Sequence, residues 1–161
     1  MIIDTHCHAG INWFEPIENL IYQMESNQVD RAVLIQHKGS ANDYLYECKE
    51  KYPEKFSVVT SINWGSNLDA QLKEFHSKGI SGVRVYLDFP EIFEKKGSEF
   101  FQNCSEKNLV ISLASSLEIF SSGNFSKVVK DNIKTTFVIE HLAGVGNINS
   151  ANKNTIDQFE K

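Results

Sequence analysis

His6 and His8 stand two residues apart at the end of the apolar run Met1-Ile2-Ile3-Asp4. Residues two apart in a strand project from one face. Both imidazoles therefore point together, and Cys7 points away as a small core residue. Neutral imidazole suits zinc, iron and similar metals, so two of them at a strand's C-terminal end make half of a metal site. Asp4 reads as a carboxylate that orients the backbone or its neighbours. His141 directly follows Phe137-Val138-Ile139-Glu140, and His37 follows the buried run Arg31–Gln36. Asn63 and Trp64 follow a third such run, and with His37 they are candidate pocket-lining residues. Arg84 sits inside an apolar segment. Its planar fork would grip a substrate carboxylate in two-pronged fashion; the other reading is a buried ion pair with a neighbouring carboxylate. His141 has a second reading too, as a polar contact at the rim. His76 falls in a helical stretch and reads as a solvated surface residue.

The elements that position these groups alternate along the chain. Strands are expected over the run ending at Asp4, then at Arg31–Gln36, Phe56–Ile62, Gly82–Leu87, Leu109–Leu113 and Thr136–Glu140. Helices are expected at Pro16–Asn27, Asn42–Tyr52, Asn67–Lys78, Glu99–Lys107 and Phe125–Asn132, with another starting at Asn149. Pro16 suits a first turn, Pro53 stops the second helix, and Gly79 stops the third. Near-continuous apolar strands alternating with helices mean a parallel sheet covered by helices. A doubly wound sheet and a (β/α)8 barrel both meet that description. No glycine-rich phosphate loop follows a strand, which argues against the nucleotide-binding doubly wound folds.

The 161 residues suffice for one domain, and no linker or low-complexity segment divides them. A net charge of -5 gives no footprint for nucleic acid or an anionic membrane surface. No apolar run approaches the roughly 20 residues of a membrane span, and the N-terminus has no signal-peptide pattern. The three scattered cysteines, with no CxxC, fit a reducing cytoplasm. A small-molecule substrate is the expected partner.

Ile3-Asp4-Thr5-His6-Cys7-His8, Gly82-Val83-Arg84 and Phe137-Val138-Ile139-Glu140-His141-Leu142-Ala143-Gly144, in that order, resemble the amidohydrolase superfamily. More narrowly, they resemble its amidohydrolase-related, lactonase-like branch. The resemblance implies a (β/α)8 TIM-barrel type with a hydrolytic site at its C-terminal mouth. It implies His6, His8 and His141 as metal ligands and catalytic groups, with a divalent metal, zinc first, although some lactonase relatives manage without one. It implies water attack on a lactone, ester or amide carbonyl of a small anionic substrate, with Arg84 on the anionic part.

Two departures qualify this. Leu113-Ala114-Ser115-Ser116 has no histidine where many superfamily members carry one, which favours the lactonase-like branch. The family also carries an aspartate after strand eight, whereas about six βα units fit here. The chain is therefore expected to be a single barrel domain over 1–161, C-terminally truncated, with strands seven and eight missing. Alternatives are a catalytically silent truncated or degenerate fragment, a decarboxylase, and a relative of the metal-dependent deoxyribonucleases. The last wants a glutamate on a middle strand, where Arg84 stands.

Overall fold

A computed structural model describes residues 1–38 and 43–144. Six strands appear: β1 (Ile3–Cys7), β2 (Arg31–Ile35), β3 (Phe56–Ser61), β4 (Gly82–Tyr86), β5 (Val110–Ala114) and β6 (Phe137–Ile139). Between them lie α1 (Ile17–Ser26), α2 (Asp43–Lys51), α3 (Leu68–Ser77), α4 (Lys95–Glu106), the short α5 (Leu117–Phe120) and α6 (Gly123–Asp131). Neighbouring strands are all parallel, in the order β1-β2-β3-β4-β5-β6. A sequential order has no switch point, so the doubly wound alternative falls away.

The sheet is curled. Six strands laid flat at about 4.8 Å spacing would separate the outer two by roughly 24 Å. Yet the rings of His6 on β1 and His141 just past β6 have centroids 4.6 Å apart. Parallel order, alternating helices and this curl are the pattern of a (β/α)8 TIM barrel, six of whose strands lie in the described residues.

Side-chain alternation divides the sheet into two faces. Leu34, Val58, Val83, Val85, Ile111 and Leu113 are wholly buried towards the helices. They pack there with Met24, Leu45, Leu72, Phe75, Phe100 and Phe101 in one core. The opposite, concave face carries Arg84 and Ser112, which the parallel register places side by side with Ser61.

Several boundaries differ from expectation for identifiable reasons. β1 ends at Cys7, so His8 lies one residue past it, and the pairing with β2 carries a register shift between Asp4 and Cys7. α4 begins at Lys95, not Glu99. Its Gly97 argues against a helix by propensity, but packing requires it: a Cβ there would lie 1.9 Å from the Ile92 carbonyl oxygen. α6 begins two residues before Phe125, since the Ser122 hydroxyl accepts the Phe125 N–H at 3.2 Å and caps it. The 3-10 turn Pro90–Phe93 and α5 are too short to show a periodicity. The expected helix from Asn149 and the residue Asn42 lie outside the described residues.

Candidate active site

β1 brings His6 and His8 to the C-terminal mouth with ring centroids 5.0 Å apart. The register shift in β1 puts one extra residue beside His6, and such bulges re-aim side chains near functional sites. The Asp4 carboxylate accepts the His6 backbone N–H at 3.0 Å, which steadies this irregular stretch. His6 Nε2 is buried and has no hydrogen-bond partner among the described residues. His8 Nδ1 lies 2.6 Å from the Ile35 carbonyl. A carbonyl only accepts, so Nδ1 carries the proton there and the lone pair is on Nε2. Burial lowers the pKa of both imidazoles, most strongly opposed by Glu140 at His6 and by the Ile35 carbonyl at His8. Both therefore stand neutral near pH 7.

The acidic member of this group is Glu140, which is not among the site residues expected from the sequence. Its carboxylate is almost fully buried and accepts the Ser112 hydroxyl at 2.7 Å. Arg84 grips it from the side, with Nε 2.9 Å from Oε1 and Nη2 on Oε2, while Nη1 donates to the Gln36 carbonyl at 2.9 Å. Burial pushes the Glu140 pKa up, but the bonds from Arg84 and Ser112 and the Arg84 charge outweigh it and hold the group below the ordinary carboxylate range. Three of the five guanidinium N–H groups are thus committed inside the protein. Of the two readings of Arg84, the geometry matches the buried ion pair, with Glu140 as partner: a guanidinium buried in an apolar strand demands a compensating charge. A signal was present, since Glu140 closes an apolar strand and directly precedes His141.

His141 reaches the same place by unusual backbone. His141, Leu142, Ala143 and Gly144 have φ of 52°, 48°, 57° and 78°, a left-handed turn. Such backbone costs roughly 1–2 kcal/mol per non-glycine residue. The turn follows Glu140, whose carboxylate is anchored, and Ala143 is buried within it. His141 Nε2 lies 3.8 Å from Glu140 Oε2. Strain of this kind concentrates at functional sites.

The remaining candidates divide. His37 stands near the cluster, its ring 5.9 Å from that of His8. Trp64 does not: it is 6% exposed and packs in the core on Phe100, with centroids 5.0 Å apart. Asn63 is exposed and builds the turn into α3, accepting the Gly65 N–H at 3.0 Å while Gln71 bonds its backbone.

The donor set suits a divalent cation. Ligand atoms of His6, Glu140 and His141 lie within 4.8 Å of one another. The unpartnered Nε2 of a neutral His6 offers a lone pair, and His8 presents Nε2 in the tautomer that metal ligands adopt. The Arg84 grip on Glu140 makes the carboxylate a charge neighbour more readily than a ligand.

No family model and no curated protein matches the chain. Solved structures do. A probable 2-pyrone-4,6-dicarboxylic acid hydrolase from Acinetobacter baumannii, with citric acid bound, superposes at TM-score 0.74 and 18% identity, covering 98% of this chain. Amidohydrolase 2 from Bifidobacterium longum subsp. infantis superposes at 0.67 and 14% identity over 98% of the chain. Dihydroorotase from Saccharomyces cerevisiae, in complex with 5-fluoroorotic acid, does so at 0.64 and 16% over 95%. The chain has the fold of these amidohydrolase-type structures. It spans 64%, 66% and 52% of their respective lengths. No helix among the described residues is long and apolar enough to cross a membrane.

Proposed function

We propose that this chain carries the catalytic mouth of a lactonase-like, amidohydrolase-type hydrolase. The reaction is attack of water on a lactone, ester or amide carbonyl of a small anionic substrate. The observation that supports this best is the convergence of His6, His8 and His141 beside buried Glu140 at the C-terminal ends of β1 and β6. Reacting groups of barrels of this kind gather at that face.

His6 and His141 would hold a divalent cation, zinc first, with His8 joining through Nε2. Bound there, such a cation polarises the carbonyl and lowers the pKa of water towards ~7. Glu140, kept anionic by Arg84 and Ser112, supplies negative charge beside the ligands. Where no cation is held, the neutral imidazole of His8 could instead accept a proton from the attacking water at Nε2. Arg84 is occupied, so the substrate's anionic part needs another cation. Lys38 is the candidate: it lies over the Tyr86 ring at 4.8 Å, and its pair with Asp88 is solvent-facing and exchangeable.

Calorimetric titration of the chain with zinc tests the reading, together with turnover on a panel of lactones and esters with and without zinc or manganese. One zinc per chain is expected. His6→Ala should weaken it beyond the roughly 10–100-fold that loss of a ligand's supporting partner brings. Zinc binding without turnover on the panel would sink hydrolysis by this chain; absence of zinc binding would sink the metal site.

A further inference from the structure

The loop between β1 and α1 folds back on itself beside His8. The Gly10 N–H donates to the Glu15 carbonyl at 3.0 Å and closes it. Two aromatic residues ride on this loop. Phe14 lies against His8, with centroids 4.6 Å apart and planes 24° from parallel. Trp13 lies against His37 at 4.9 Å and runs nearly parallel to Phe14, at 6.2 Å and 28°. Near-parallel rings therefore run from His8 through Phe14 to Trp13, with His37 tilted at 36° against the indole. Yet the indole at its end is 78% exposed. The other tryptophan, Trp64, is buried, as so large an apolar ring ordinarily is. Trp13 is oriented by its neighbours while its surface stays in water, immediately beside the candidate reacting groups.

We infer that Trp13, backed by His37 and Phe14, is a stacking platform for a planar, conjugated ring in the substrate. The inference rests on reading the imidazole cluster as the reacting site, and it narrows the substrate from any small anionic carbonyl compound to one whose ring is flat. A flat π-face lies offset on an indole with full contact. A puckered ring touches it through a few hydrogens and has no complementary quadrupole. Offset stacking adds up to about tenfold in affinity beyond area alone, or ~1.4 kcal/mol.

Isophthalate and its fully hydrogenated cis counterpart test this, because they share charge and carboxylate placement and differ in planarity. Each is titrated into the full chain by calorimetry and by two-dimensional NMR of the indole N–H signals. Isophthalate should bind about tenfold more tightly and move the Trp13 signal while leaving that of Trp64 in place. Trp13→Leu, which keeps apolar bulk without a π-face, should bring the two affinities together; Trp13→Phe should retain part of the preference. Equal affinities in the wild type, a preference that survives Trp13→Leu, an unmoved Trp13 signal, or binding of neither compound would each overturn the platform. Zinc calorimetry on the same samples reads the imidazole site separately. Lost ring preference with intact zinc binding sinks the platform alone, and ring preference without zinc binding sinks the metal reading alone.

Discussion

The two faces of this one sheet are built by opposite rules. Towards the helices, Leu34, Val58, Val83, Val85, Ile111 and Leu113 form an apolar layer held by volume. On the concave face, Arg84, Ser112 and Glu140 are as nearly buried, but directed bonds hold them. The change of chemistry takes one residue: Val83 to Arg84 in β4, Ile111 to Ser112 in β5. An apolar layer loses stability in proportion to the atoms removed and tolerates swaps of equal size. A buried polar network is indifferent to size and intolerant of losing one partner, because the other keeps its charge and loses its compensation.

The largest expected effect separates the faces most sharply. Arg84→Ala should cost roughly 3–5 kcal/mol by urea unfolding, the range for stranding a buried charge. Pairing Arg84→Met with Glu140→Leu should recover most of that loss. A single variant that unfolds at the wild-type midpoint would mean the concave face is not held by this pair.

Next in size is the helix-facing layer. Leu113→Ala should cost about 2–5 kcal/mol, and Leu113→Met under ~1.5 kcal/mol. By contrast, Arg84→Lys keeps charge and approximate length and should still fail to restore the network, since lysine lacks the planar fork. Equal tolerance of the two conservative swaps in unfolding experiments would erase the distinction drawn here.

Between the two faces, acid should act on the concave one and spare the apolar layer, by a smaller amount. His6 and His8 have pKa values lowered from 6.5 by burial. The unfolded chain therefore binds their protons first, and stability falls as pH drops below 6.5 towards the native values. Glu140 is held below its ordinary 4.5, so its contribution is present above 4.5 and lost as pH falls through the lower native value. Two successive descents are expected in unfolding measured with a chelator present. His6→Gln with His8→Gln should flatten the first and leave the second; a profile unchanged by those variants would refute the assignment.

The smallest effect concerns the strained turn that carries His141. Leu142 is 70% exposed and has φ of 48°. Leu142→Gly should relieve left-handed strain of about 1–2 kcal/mol and give back about 0.4–1 kcal/mol through a looser unfolded chain. The net should be a gain of up to about 1.6 kcal/mol, read as a higher urea midpoint. Destabilisation would show that the side chain of Leu142 matters more than its backbone.

Much of this was legible along the chain. Strand–helix alternation was readable because parallel strands covered by helices are near-continuous apolar runs, as in Val83 to Leu87 and Leu109 to Leu113. His6 and His8 stood out because a period of two within a strand is a local rule, and β1 is a strand. The place of Trp64 was not legible, because a residue just after a strand can turn either way; contact with Phe100, 36 positions on, sends it into the core. Glu140 stood out less, for the complementary reason. A carboxylate ending a strand is ordinarily solvated, and only a cation 56 residues earlier makes it a buried one.

What the sequence determined alone was the order of elements, the facing of residues within each strand, and the two-histidine signature at β1. What only the tertiary structure decided was distance across the curl: His141 against His6, Arg84 against Glu140, and Trp13 standing over His37. The physical reason is range. Alternation and propensity act over a few residues and leave their mark in the local pattern. Which charge meets which, and which ring stays in water, depends on sheet curvature and on contacts between residues far apart in the chain.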